Sequence, residues 1–128
     1  MSKVKEEVKP DIIFTHYEMD LNIDHQITYK AVITATRPMM DECVKEIYSF
    51  EILSSTEWNY PVQFTQNYFI EIKSQLSAKI KAMKAYKNEI KKFPHPRSVE
   101  NLKNVSERWG SVSGNKAAEA FEIIRKIE

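Results

Sequence analysis

Ile12-Ile13-Phe14-Thr15-His16, a short loop, and then Asp20-Leu21-Asn22-Ile23-Asp24-His25 form the stretch whose reading decides the fold. Pro10 precedes it, lacking an N–H and restricting Lys9, so it stops the charged helical segment at residues 2–9. Ile12-Ile13-Phe14 is a continuous apolar run of the kind that forms a buried parallel strand, which needs neighbours on both sides. Residues 16–22 are polar and read as a loop leaving the strand's carboxyl end, the edge where open α/β sheets bind ligands. From Asp24 to Thr36 the apolar residues fit two patterns. Ile27, Tyr29, Ala31, Ile33 and Ala35 alternate as in a strand, while Ile27, Ala31 and Ala35 recur at helical spacing. About 13 residues is long for a strand and ordinary for a helix. Asn22 or Asp24 supplies an N-cap, and Arg37-Pro38 ends the element.

Outward from this unit, residues 46–53 read as a second strand and residues 68–72 as a third. Between them a long polar loop carries Glu57, Trp58 and Tyr60. In residues 74–92, Leu76, Ile80, Met83, Tyr86 and Ile90 recur at helical spacing, and lysines solvate the other face. Phe93-Pro94-His95-Pro96-Arg97 breaks the chain before a helix over residues 98–109 and a turn around Gly110 and Gly114. Residues 117–127 fit either helix or strand. The expected fold class is α/β, Rossmann-like, with a mostly parallel sheet flanked by helices.

A chain of 128 residues has the length of one domain, residues 1–128. Lys and Arg (19) nearly balance Asp and Glu (18), so a net charge of +1 generates no field to recruit nucleic acid or an acidic membrane. The single cysteine, Cys43, cannot form an internal disulfide and excludes a Cys-rich zinc module, which points to the cytoplasm. The amino terminus has no apolar h-region, and no run approaches the roughly 20 apolar residues that span a bilayer.

The segment from Asp20 to His25 sets three oxygen-bearing side chains and an imidazole within six residues. It has two meanings. In one, Asn22 or Asp24 caps a helix and the other groups are solvated. In the other, it is part of a metal site. His25 stands in the first helical turn, where the positive end of the helix dipole disfavours imidazolium and keeps the ring neutral, as a metal ligand must be. Asp24 or Asp20 would orient the ring, and His16 and Glu18 are the other donors nearby. A catalytic zinc site needs three protein ligands and an open position.

The blocks Lys9-Pro10-Asp11-Ile12-Ile13-Phe14-Thr15-His16, Asp20 to His25 and Ala35-Thr36-Arg37-Pro38 resemble the second half of the PIG-L family. These proteins, also called LmbE-like, are zinc-dependent N-deacetylases of acetylated amino sugars. The resemblance continues in the family's order through Ser54-Ser55-Thr56-Glu57-Trp58, Phe93-Pro94-His95-Pro96-Arg97-Ser98, Gly110-Ser111 with Gly114, and Ala118-Glu119-Ala120-Phe121. It implies that His25, matching the last histidine of a His-x-Asp-His motif, is a ligand to Zn2+. Asp24 then supports the ring. Asn22 stands where many members carry a histidine that helps stabilise the oxyanion. An amide donates a hydrogen bond there but brings no charge. The family's His-Pro-Asp-Asp motif, which supplies two further ligands and the general base, is not in this sequence; His95-Pro96 is followed by Arg97-Ser98 and belongs to a later block.

The resemblance therefore implies the carboxyl half of a deacetylase fold, dependent on a complementary amino-terminal half. Glu57 and Trp58 suit the hydroxyls and the ring face of a sugar, and His95 and Arg97 would contact substrate or a neighbouring subunit, or pin a turn. The competing reading is a non-catalytic α/β module whose Asp20–His25 segment only caps a helix. In that module an unpaired sheet edge favours self-association.

Overall fold

The computed structural model describes residues 1–128. Its elements run α1 (Ser2–Val8), β1 (Ile12–His16), α2 (Ile23–Ala35), β2 (Glu46–Phe50), a 3-10 turn (Thr56–Trp58), β3 (Tyr68–Glu71), α3 (Leu76–Ala85), α4 (Val99–Ser113) and β4 (Ala118–Lys126). The fold is α/β, with one four-stranded mixed sheet in the order β1-β2-β4-β3 flanked by helices. β1 and β2 are parallel, with Ile12 opposite Glu46 and His16 opposite Phe50, whereas β4 runs antiparallel to β2.

Two compact units divide the chain. The first comprises Met1–Asn67 with Phe121–Glu128, and the second comprises Tyr68–Ala120. In the first, Val32 of α2 packs on Val44 and Ile47, and Ile13, Ile33, Cys43 and Ile124 close around them. The face α2 buries is therefore built on Val32 and Ile33. Ile27, which fits both sequence patterns, is mostly exposed. Asn22 caps α2 by accepting the Asp24 N–H at 2.8 Å. At the other end of α2, Lys5 Nζ donates to the Ala35 carbonyl at 2.7 Å and to Glu42 Oε2 at 2.6 Å, tying α1 down.

β1 departs from the expectation of a strand with neighbours on both sides. It pairs with β2 alone and lies at the sheet edge. Ile13 and Thr15 turn inward, but Ile12 and Phe14 are 43% and 44% exposed. Phe14 stacks on Tyr48 with ring centroids 5.3 Å apart and meets Phe121 edge-on at 5.1 Å. An apolar run alone cannot distinguish an edge strand from a central one, because that depends on which strands are present to pair with it.

In the second unit α3 ends at Ala85, short of the helix expected to residue 92. Its last turn closes with Tyr86 N–H on Met83 O at 3.1 Å. Beyond it, Lys87 and Lys91 would have stood one turn apart with like charge, and Pro94 follows. α4 is longer than expected. Ser98 caps it, accepting Asn101 N–H at 3.0 Å, and it runs through Gly110 to Ser113. Gly114, at φ 77°, makes the turn that the sequence led one to expect around both glycines. Gly110 has a different duty: a Cβ there would stand 2.6 Å from Asn115 O and 2.8 Å from Ala117 N, so its missing side chain lets the returning chain cross the helix.

Candidate functional site

Because β1 and β2 are parallel, the loops that follow them leave from the same sheet edge. The loop after β1 delivers Asp20, and the loop after β2 delivers Ser55 and Thr56. The three meet with no contribution from the second unit. Asp20 has no exposed surface. Its Oδ2 accepts the Thr56 hydroxyl at 2.6 Å, and its Oδ1 accepts the Ser55 hydroxyl and the Asn22 N–H at 2.9 Å. His25 Nδ1 lies 3.1 Å from the same Oδ1. Burial by itself would raise the Asp20 pKa. The hydrogen bonds from Ser55, Thr56, Asn22 and His25 outweigh it and hold the carboxyl below its usual range, so the group is ionised at neutral pH.

The surrounding loop is fixed by its own bonds. Gln26 Nε2 donates to the Asp20 carbonyl at 2.6 Å, and Asn59 Nδ2 donates to the Met19 carbonyl at 2.5 Å. His16, the last residue of β1, stacks its ring on His25 with centroids 4.2 Å apart and planes inclined by 21°. Phe50 flanks His16 at 5.0 Å. Burial, and then the neighbouring His25, lower the His16 pKa more than Asp20 raises it. His16 Nδ1 is buried without a hydrogen-bond partner.

The residues singled out in the sequence fall into three places. His25, half-buried, joins the Asp20 cluster. Asn22 and Asp24 stand exposed at the start of α2. Asn22 spends its side-chain oxygen on the cap, which leaves its amide nitrogen as the free donor. Asp24 does not touch the imidazole through any hydrogen bond; its carbonyl accepts from Thr28 at 2.8 Å, and the carboxylate against His25 is that of Asp20. Glu57 and Trp58 occupy the 3-10 turn directly after Thr56, both exposed. The Glu57 carboxyl turns back among the backbone N–H groups of Ser54 and Ser55. Partial loss of solvent there outweighs those bonds and pushes its pKa up.

His95 and Arg97 belong to the second unit, where they pin the turn before α4. His95 Nδ1 accepts the Arg97 N–H at 3.0 Å, the His95 carbonyl accepts the Ser98 N–H at 3.0 Å, and the Arg97 guanidinium pairs with Glu89.

Ser55 and Thr56 are the contributors that residue patterns left in the background, whereas His16, named as a nearby donor, joins the site by stacking on His25. The available signal was topological: two parallel strands side by side must bring their carboxyl-end loops together, and Ser54-Ser55-Thr56 is a hydroxyl-rich run on one of them.

With Nδ1 facing Asp20, His25 keeps Nε2 as a donor for a metal, which fits one protein ligand of a zinc site. His16 does not complete it. Near-parallel stacked rings aim their in-plane lone pairs side by side rather than at one point. No group of three His, Cys, Asp or Glu side chains converges anywhere in the chain. An open cavity of about 550 Å³, lined in part by Lys5, Lys9, Arg37 and Glu42, lies at the opposite end of α2 and shares no residue with the Asp20 cluster.

No family model matches this chain, and no curated protein matches it in sequence. Among solved structures it is similar to the conserved protein TT1542 from Thermus thermophilus, with a TM-score of 0.74 and 16% identity. The match takes in 99% of this chain and 57% of that one, so this chain spans little more than half the length of its structural neighbour. At that identity the likeness is one of fold.

Proposed function

We propose that this chain is the carboxyl half of a zinc-dependent deacetylase that removes the N-acetyl group from an acetylated amino sugar or glycoconjugate in the cytoplasm. The observation that carries the reading is the imidazole of His25 beside the buried carboxylate of Asp20, at the carboxyl edge of two parallel strands. Carboxylate-oriented histidine is the usual form of a metal-ligating histidine, and that edge is where open α/β sheets place ligands. The alignment of nearly the whole chain with 57% of a longer one also supports a half.

His25 Nε2 would hold the metal from this side. Bound Zn2+ lowers the pKa of water and polarises an amide carbonyl. The other ligands and the carboxylate base would come from a complementary amino-terminal half. Strands added beyond the free edge of β1 would also make the sheet the mostly parallel, Rossmann-like one the sequence calls for. In this chain Asn22 would offer its amide N–H to the developing oxyanion, and the support of the His25 ring that the resemblance assigns to Asp24 would fall to Asp20. Glu57 and Trp58 meet sugar hydroxyls and a ring face, whereas His95 and Arg97 serve substrate or a subunit contact only if that turn is presented to them. Neither nucleic acid nor a membrane is a partner in this reading; no helix is long and apolar enough to cross a membrane.

The experiment is to express the chain together with the coding sequence immediately upstream and to assay deacetylation of N-acetylglucosamine derivatives. His25→Ala is expected to lose stoichiometric zinc and to lower turnover by at least about 100-fold, as removal of a group acting directly on the transition state does. Tight stoichiometric zinc in His25→Ala would defeat the assignment.

A second reading keeps the chain as a non-catalytic module in which the Asp20–His25 segment only starts a helix. The Asn22 cap favours it, and a joined protein with neither zinc nor activity would establish it.

A further inference from the structure

We infer that Asp20 is the positioning residue of His25. It keeps the proton of the neutral imidazole on Nδ1 and the lone pair on Nε2, and Ser55 and Thr56 hold it in place to do so.

The direction of each hydrogen bond follows from the partners. The Asn22 N–H can only donate, and it lies 2.9 Å from Asp20 Oδ1. The Thr56 oxygen accepts the Ile52 N–H at 2.7 Å, so its own hydrogen is free for Asp20 Oδ2 at 2.6 Å. Both carboxylate oxygens thus already face donors, and the Ser55 hydroxyl adds another to Oδ1. An ionised carboxylate only accepts. His25 Nδ1, 3.1 Å from Oδ1, must therefore carry the hydrogen, and a neutral ring with Nδ1–H has its lone pair on Nε2. An unrestrained neutral histidine in water favours the opposite tautomer, so the preference is imposed by the site. The ring of His16, stacked at 4.2 Å, covers one face and limits rotation of the imidazole.

Asp20 reaches this role across the fold. It is tied to Ser55 and Thr56, 35 and 36 residues away in sequence, so the loop after β2 sets the orientation of a side chain in the first turn of α2. The tautomer follows from these contacts alone. Only the use of Nε2 as a zinc donor rests on the deacetylase reading.

The test is a long-range 1H–15N correlation spectrum of the histidine rings in the full chain, at a pH where they are neutral. His95 provides an internal contrast, because its Nδ1 accepts the Arg97 N–H and its ring must carry hydrogen on Nε2. His25 is expected to show the reverse, a protonated Nδ1 and an unprotonated Nε2. Hydrogen on His25 Nε2 in the wild-type chain overturns the inference without recourse to any variant. In Asp20→Leu the ring is expected to revert mainly to Nε2–H. In Asp20→Asn, which keeps the shape if Leu does not fold, a mixture of the two tautomers is expected. Pure Nδ1–H in whichever variant folds refutes the role of Asp20. Addition of Zn2+ to the wild type separates this inference from the metal reading. A shift of the Nε2 signal supports both, while Nδ1–H with no response to zinc, in the chain joined to the amino-terminal half that would carry the other ligands, supports the positioning role and counts against the metal.

Discussion

Replacing Asp20 by asparagine tests how much of the first unit hangs on one carboxylate. The side chain has no exposed surface and receives four donors: two hydroxyls, a backbone N–H and an imidazole nitrogen. Asparagine keeps the shape but removes the charge and turns one acceptor oxygen into an NH2 donor. Bonds to a charged acceptor contribute about 1.5–3 kcal/mol and neutral ones about 0.5–1.5. Three surviving bonds therefore each weaken by about 1 kcal/mol, and the one facing the new NH2 must reverse or break. Relief of the burial penalty on the charge offsets part of this, leaving a net loss of about 2–4 kcal/mol. Asp20→Ala strands all four donors and is expected to lose about 3–5 kcal/mol. Against a total of about 5–15 kcal/mol for an ordinary domain, either change is severe. The assay is urea unfolding followed by tryptophan fluorescence and circular dichroism. With a slope of about 2 kcal/mol/M, the middle of the usual range for urea, the Asp20→Asn midpoint should fall by roughly 1–2 M. A midpoint within about 0.2 M of wild type at unchanged slope would refute the account of Asp20 as the tie between the two loops.

Further outcomes follow from other parts of the chain. Gly110→Ala is expected to destabilise by about 1–3 kcal/mol although alanine is the better helix former, because the atoms its Cβ would meet are backbone of Asn115 to Ala117 and cannot swing aside; equal or higher thermal stability would count against the close crossing. Burial works against the charge of Glu42, but hydrogen bonds from Lys5 and the Val44 N–H outweigh it and hold its pKa below the ordinary carboxylate value of 4.5. Its contribution is thus complete above that value and is lost as pH falls through the lowered folded one. The stability gap between wild type and Glu42→Gln should therefore be widest near neutrality and close in acid, and a gap independent of pH would sink the assignment. β1 presents an unpaired edge with Ile12 and Phe14 about half-exposed and no lysine or proline to blunt it. Sedimentation velocity should show concentration-dependent self-association of the chain alone, relieved by Ile12→Lys; a strict monomer at high concentration would contradict this.

Local chemistry made several elements legible in the sequence by itself. Pro10 and Pro38 bound the first strand–helix unit, Asn22 can cap, and about 13 residues suit a helix, so the helix expected over residues 24–36 appears as α2 at Ile23–Ala35, one residue earlier at each end. Ser98 announces the start of α4 in the same way. These signals act within one turn of chain and need no partner. The identity of the face α2 buries, the edge position of β1, the early end of α3 and the helical place of Gly110 depend on what packs or pairs with each segment, and periodicity carries none of that. The site divides along the same line. Sequence marked His25 and the acidic residues beside it, naming both Asp20 and Asp24 as able to orient the ring, and the family resemblance favoured Asp24, the nearer in sequence. Only the tertiary structure separates them. The parallel pairing of β1 and β2 brings Ser55 and Thr56 onto Asp20, a carboxylate that deep is held by donors, and Asp24, one residue from His25 in sequence, points to solvent from the exposed side of the same helical turn.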